Sequence, residues 1–264
     1  MFPFRLGTTS YIVPDDISPN VRYLADKVQD VELVLFEVDD GANNLPAPEV
    51  VAELKTLAEA HALTYTVHLP LDLRLDADGD EGHVSLVKAR AVIERTRDLN
   101  PWAYVLHLDG RELLAAQASG TAVAQRAAAW QDQAVRALEL TAEWAGGPDL
   151  LAVENLERYP LDFWTPVLER VPAGRCVDIG HLWLDHHDPL PFLRAALPRT
   201  RVVHLHGVGQ RDHQSLALMP PKILNPVMDY LSEVYRGILT LEVFSEADFH
   251  TSLAAMNASL NRPR

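Results

Sequence analysis

His68, His107, Glu154, Asp178, His204, His206 and Glu242 each stand at the carboxyl end of a short apolar run. Imidazole and carboxylate together suit zinc, manganese or iron(II), whereas an all-oxygen set would suit magnesium or calcium and a cysteine-rich set structural zinc. The stretch RVVHLHGVGQRDHQSL, residues 201–216, adds Asp212 and His213 close after His204, and His181 follows Asp178 by three residues. Divalent ions held by such groups lower the pKa of a bound water and offset charge developing on a phosphoryl or enediolate oxygen. Glu154 and Glu242 are the candidates for bridging two ions or for acting directly on substrate.

The apolar runs read as eight strands: FRLGTTS from Phe4, VELVLFEV from Val31, LTYTVHLP from Leu63, AYVLHLD from Ala103, LLAVENLE from Leu150, RCVDIGH from Arg175, RVVHLHG from Arg201 and ILTLEVF from Ile238. Amphipathic segments lie between them, with helix starts at Ser18 before Pro19, at Asp188 before Pro189, and at Ser245 with Asp248 in the capping-box position. One strand and one helix per roughly 33 residues predicts a single (β/α)8 TIM barrel over residues 1–264. An open doubly wound sheet is the alternative, but it usually has fewer strands, and no glycine-rich phosphate-binding turn follows the first one. Residues 111–147 read as a helical layer broken around Gly120. In a barrel the carboxyl ends of all strands meet at one mouth, which would gather residues distant in sequence around one cavity. Strand alternation puts His204 and His206 on the same face.

Taken singly, each of these residues has a plainer explanation. A lone histidine is more often a hydrogen-bonded pocket residue, a lone buried glutamate more often the partner of an arginine, and Asp178 in VDIGH could be a turn or cap residue. Their shared position on successive strands is what favours a metal site. His181, Asp212 and His213 read as loop residues, where polarity needs no special cause. Glu37 at the second strand end reads as a substrate residue, a base or a solvated carboxylate. His186 and His187 belong to a turn before the Pro189 helix, and the acidic run at residues 76–83 to a solvated loop beyond the third strand. Of the five tryptophans, Trp183 is the one placed to meet a ligand.

The 264 residues are 48% hydrophobic and 23% charged, enough for one sizeable core. A formal charge of −14 argues against nucleic acid as partner and for a small-molecule substrate. The single cysteine, Cys176, excludes an intrachain disulfide. No export signal or membrane-length apolar run is visible, so the cytoplasm is the expected location.

TVHLP, VLHLD, AVENLE, CVDIGH, HLHG, RDH and LEVFSE, in this order, resemble the xylose isomerase-like, endonuclease IV-like superfamily of metal-dependent barrels along essentially the whole chain. Within it, FRLGTTSYI, LTYTVHLPLDLRL, YVLHLDG and HLHGV followed by RDHQSL are most similar to the cobamide-remodelling phosphodiesterases, which hydrolyse the nucleotide loop of vitamin B12-type corrinoids. The resemblance implies one ion on His68, His107 and Glu154, and a second on Glu154, Asp178, His204 and Glu242, with zinc the expected metal. It implies a third ion on His181 and an Asp-x-His pair, a pattern from which the adjacent Asp212 and His213 depart. His206 would contact substrate or adjust a ligand. A sugar isomerase or epimerase, a repair nuclease and a non-catalytic cobamide-binding protein are the other readings.

Overall fold

The computed structural model describes residues 2–35, 43–76, 78–119 and 123–262. Strands and helices alternate along the chain as β1 (Arg5–Thr9), α1 (Ile17–Leu24), β2 (Asp30–Val34), α2 (Pro48–His61), β3 (Thr64–His68), α3 (Val84–Thr96), β4 (Tyr104–Leu106), α4 (Arg111–Ser119) and α5 (Val123–Ala145). They continue as β5 (Leu151–Glu154), α6 (Thr165–Arg170), β6 (Gly174–Asp178), α7 (Ile179–Leu184), α8 (Pro189–Ala196), β7 (Thr200–Leu205), α9 (Pro221–Val234), β8 (Ile238–Leu241) and α10 (Glu246–Leu260). All eight strands are parallel, each pairs with its neighbour in sequence, and β8 pairs with β1 to close the barrel. The fold is the (β/α)8 barrel expected from the sequence, and all eight runs form its staves.

Each strand is sandwiched between barrel interior and helix layer, so it buries both faces and reads as a near-continuous apolar run. The main core lies between sheet and helices, where Val31, Leu33, Tyr65, Val67, Leu106 and Phe249 are buried. A smaller cluster of Val105, Ala152, Cys176, Val202 and Ile238 is also buried. Helix entry follows the local chemistry. Asp188 accepts a hydrogen bond from the Leu190 N–H, and Ser245 accepts one from the Asp248 N–H at 3.1 Å. Helix α1 begins one residue before the expected Ser18, with Asp16 as its extended flanking residue. Pro19 therefore falls in the first turn, where its missing N–H leaves no intrahelical bond unmade. The helical layer over residues 111–147 is divided into α4 and α5, and Gly120 itself lies outside the described residues.

Asp30 is fully buried, and burial raises its carboxyl to about 7 even though the Thr64 hydroxyl donates to it at 2.6 Å. The folded chain therefore holds a proton there that the unfolded chain releases nearer pH 4, and the residue costs stability increasingly as pH rises from about 4 to 7. Asp30→Asn keeps the acceptor for Thr64 and removes the charge. It is expected to stabilise the protein at pH 8 by up to about 4 kcal/mol and to change little at pH 4. Equal effects at both pH values in thermal melts would contradict this assignment.

Candidate metal centre

Among the described residues, three groups of metal-capable histidines and carboxylates meet at the carboxyl ends of the strands, and a fourth adds Cys176 to Glu154 and His204. His68 at the end of β3, His107 just past β4 and Glu154 at the end of β5 form the first. Glu154 Oε2 lies 3.4 Å from His68 Nε2 and 3.2 Å from His107 Nε2. The opposite ring nitrogens are engaged elsewhere: His68 Nδ1 is 2.9 Å from the Leu69 carbonyl, and His107 Nδ1 is 3.1 Å from Asp72 Oδ1. Those contacts turn Nε2 of both rings toward Glu154.

Glu154, Asp178, His204 and Glu242 form the second group. His204 Nδ1 lies 3.0 Å from Glu242 Oε2, 3.4 Å from Glu154 Oε1 and 3.8 Å from Asp178 Oδ2. The two oxygens of Glu154 thus face different groups, Oε2 the first and Oε1 the second.

Asp178, His181, His206 and His213 form the third. Asp178 is both the cap residue and the site residue that its sequence context allowed. Its Oδ1 accepts the His181 N–H at 2.7 Å at the start of α7, while Oδ2 faces His204. His181 therefore sits in the first turn of a helix rather than in the expected loop, with Nδ1 held 3.0 Å from the Asn155 carbonyl. His206 was expected to contact substrate or adjust a ligand. Its Nε2 lies 3.3 Å from Asp178 Oδ1, and its ring stacks on His213 with centroids 4.4 Å apart.

Asp212 stands at the rim of this group, 3.4 Å from His181 Nε2 and 3.2 Å from His206 Nδ1. Adjacent residues of an extended strand point in opposite directions. His213 escapes this by a left-handed backbone conformation, φ 52°, inside a small hairpin closed between Gly207 and Gln214. Asp212 can then face His181 while His213 Nε2 comes within 3.3 Å of Glu242 Oε2.

The donor set fits cations. Asp178 Oδ2, His204 Nδ1, His206 Nε2 and Glu242 Oε2 are buried without a hydrogen-bond partner. Such atoms are costly unless something else satisfies them. His204 Nδ1 and Glu242 Oε2 are 3.0 Å apart yet not aligned as a hydrogen bond, the geometry of two donors aimed at a common point. Among the described residues, the ion-pair partners of Glu32, Glu154, Asp178 and Glu242 are all histidines, with no lysine or arginine. These are four buried carboxylates, whose charge two divalent ions would balance.

The titration of the site has the same origin. Burial works against charge on both Glu154 and Glu242, but the facing His204 and its neighbours hold both carboxyls well below the usual range. Burial likewise lowers the imidazoles, yet the carboxylates outweigh it and hold His107 at about 10, His181 at about 11 and His213 at about 9. Cys176 also comes within reach of Glu154 and His204. Burial pushes its thiol well up, which keeps it protonated and a poor ligand.

A cavity of about 450 Å³ opens over these groups. His68, His107 and Glu242 are on its polar side, and Leu69, Pro70 and Phe244 form an apolar wall. Trp183 belongs to the hydrophobic core and does not line it. His186 and His187 are exposed after α7, as the sequence suggested. Glu37 lies outside the described residues.

Three further site residues, Glu32, Asp72 and Asn155, do not emerge from the sequence reading. Glu32 is a charge placed two residues after Asp30 in the run DVELV, a period-two signal that was available. Asn155 exchanges two bonds of 2.9 Å with the Asp178 backbone and joins the ends of β5 and β6. Nothing in its local sequence distinguishes that role.

A family model for the xylose isomerase-like TIM barrel matches residues 26–261. The chain belongs to that family. No curated protein matches it in sequence. Among solved structures it is similar to a D-tagatose 3-epimerase-like protein, at 15% identity and a TM-score of 0.70 with 97% of each chain covered. It is also similar to endonuclease IV from Thermus thermophilus, at 20% identity and a TM-score of 0.69, with 97% of this chain and 98% of the other covered. D-allulose 3-epimerase from Methylomonas sp. in complex with D-allulose matches at 14% identity and a TM-score of 0.66, covering 100% and 98%. At these identities the likeness is one of fold. Among the described residues, no helix of this family member is long and apolar enough to cross a membrane.

Proposed function

We propose that the protein is a metal-dependent phosphodiesterase that hydrolyses the nucleotide loop of a cobamide. The observation that carries this reading is the division of Glu154 between two groups of donors, which favours a pair of neighbouring cations over a single one. His68, His107 and Glu154 would hold one ion; Glu154, Asp178, His204 and Glu242 the second; Asp178, His181, His206 and His213, with Asp212 at the rim, a third. The imidazole and carboxylate mixture suits zinc, with manganese and iron(II) as the alternatives. Bound ions would supply an acidified water and electrostatic stabilisation of a phosphodiester in displacement.

The chain's own residues do the rest. Glu154 and Glu242 would act as ligands, because the facing imidazoles hold them ionised and their oxygens point at the same places as the imidazole nitrogens. His213 lines the cavity beside Glu242 and would present a second polar edge there, while the fully buried His206 lies behind it against Asp178. Leu69, Pro70 and Phe244 offer an apolar surface to the remainder of the substrate. The cobamide assignment itself rests on the motif resemblance, and small-molecule specificity agrees with the −14 charge.

Incubation of the zinc-, manganese- or iron-loaded protein with a cobamide is expected to yield corrinoid and lower-ligand fragments by mass spectrometry, and chelator is expected to stop it. An intact cobamide under every metal would remove the substrate assignment.

A sugar epimerase is the second reading. Glu154, Asp178, His204 and Glu242 can serve one ion by themselves, and Glu154 and Glu242 could then move a proton on opposite faces of a carbon. The likeness in fold to sugar epimerases supports it. That activity would exchange a substrate carbon-bound hydrogen with deuterated solvent, which phosphodiester hydrolysis does not.

A further inference from the structure

We infer that Glu32 is the positioning residue of the second metal group: it fixes which nitrogen of His204 faces the cavity. Glu32 and His204 are both fully buried, on β2 and β7, and Glu32 Oε2 lies 2.9 Å from His204 Nε2. The inference rests on the metal-dependent reading above and assigns a role to a residue outside the expected ligand set.

Glu32 has no evident structural reason to be a carboxylate. It caps no helix and pairs with no lysine or arginine among the described residues, and its Oε1 has no hydrogen-bond partner. A buried carboxylate so poorly satisfied costs stability unless its charge is compensated. The surrounding polar atoms do not provide that compensation: Thr240, the register partner of His204 on β8, also carries an unpartnered hydroxyl.

Its contact with His204 gives it a role. An ionised carboxylate only accepts, so the proton of a neutral His204 must sit on Nε2. Nδ1 is then left with a free lone pair directed at Glu154, Asp178 and Glu242. The negative charge also makes the imidazole a stronger donor to a cation and completes the set of four buried carboxylates. A glutamine at this position fills the same volume, but its amide can donate to Nε2 and move the ring proton to Nδ1, where it blocks ligation.

The test compares chelator-stripped wild type and Glu32→Gln, each titrated with cobalt(II). The readouts are stoichiometry, affinity, the visible cobalt absorption and the rise in melting temperature on metal addition. Wild type is expected to take up at least two ions. Glu32→Gln should keep the ion on His68, His107 and Glu154, bind the next about 10- to 100-fold more weakly, and show an altered cobalt band. Its metal-induced rise in melting temperature should shrink accordingly. A purely structural role would lower the melting temperatures with and without metal alike and leave that rise unchanged.

Should Glu32→Gln fail to fold, Glu32→Asp serves as the second variant. It keeps the acceptor charge at greater distance, so both ions should bind with a smaller loss at the second site. Wild-type affinity and an unchanged cobalt band in the folded variant used would overturn the role of Glu32. Failure of the wild type to bind cobalt would overturn the metal-dependent reading instead.

Discussion

Protein carrying Glu154→Ala is expected to fold, to lose both ions of the proposed two-ion core, and to lose more than about 100-fold in turnover, beyond the 10- to 100-fold typical of residues that only support a ligand. The size of the effect follows from the position of one side chain. Glu154 Oε2 faces His68 and His107, and Oε1 faces His204, so one substitution removes a donor from two groups at once. His107→Ala touches the first group alone and should release one ion while sparing the second. The barrel survives both changes because its stability comes from the apolar layer between sheet and helices, which neither residue joins. Metal analysis with circular dichroism checks this directly: a folded Glu154→Ala protein that keeps wild-type metal content and turnover would remove the shared role of the residue.

Metal affinity is expected to rise steeply with pH across the neutral range. In the metal-free protein the neighbouring carboxylates hold His107 at about 10, His181 at about 11 and His213 at about 9, so these imidazoles carry protons near neutrality. A cation binds the neutral imidazole and must displace those protons. For each proton released, the apparent dissociation constant should fall about tenfold per pH unit below the pKa of the group displaced. The carboxylates contribute no opposing trend near pH 7, because Glu154 and Glu242 are already ionised.

The same raised values have a stability consequence in the metal-free state. Each protonated histidine paired with a carboxylate stabilises the fold fully below its unfolded pKa, near 6.5, and loses that contribution as pH climbs through its folded value. Stripped protein should therefore weaken from about pH 6.5 upward while the loaded protein holds, so the difference in melting temperature between them widens with pH. Calorimetry in buffers of different ionisation enthalpy counts the protons. Metal binding that is independent of pH, with no proton release, would contradict this description of the site.

The barrel is legible in the sequence because parallel strands covered by helices must be apolar on both faces, which makes each strand a short unbroken run. The candidate metal donors are visible for a related reason. A histidine or glutamate closing such a run is locally out of place, and metal-capable residues of this kind recur at or just past the ends of β3, β4, β5, β6, β7 and β8. Three features are harder to read. The position of His206 beside Asp178 and His213 depends on the left-handed turn at His213, which no residue type in that loop announces. His181 reads as a loop residue because α7 starts at once after β6, with no connecting segment to separate strand from helix. Glu32 escapes a reading based on strand ends, since the residue that orients a ligand sits lower in the barrel, inside the strand.

Hydrolysis of a phosphodiester by water at this cluster is the reaction on which the functional reading stands. Its most direct test is turnover of a cobamide by the metal-loaded protein in water enriched in heavy oxygen, with the phosphate-bearing product weighed by mass spectrometry. One heavy oxygen should enter that product with each cleavage, and none should enter after chelation or in Glu154→Ala. An uncleaved cobamide, together with deuterium exchange into a sugar substrate under the same metal, would contradict the claim and establish the epimerase reading in its place.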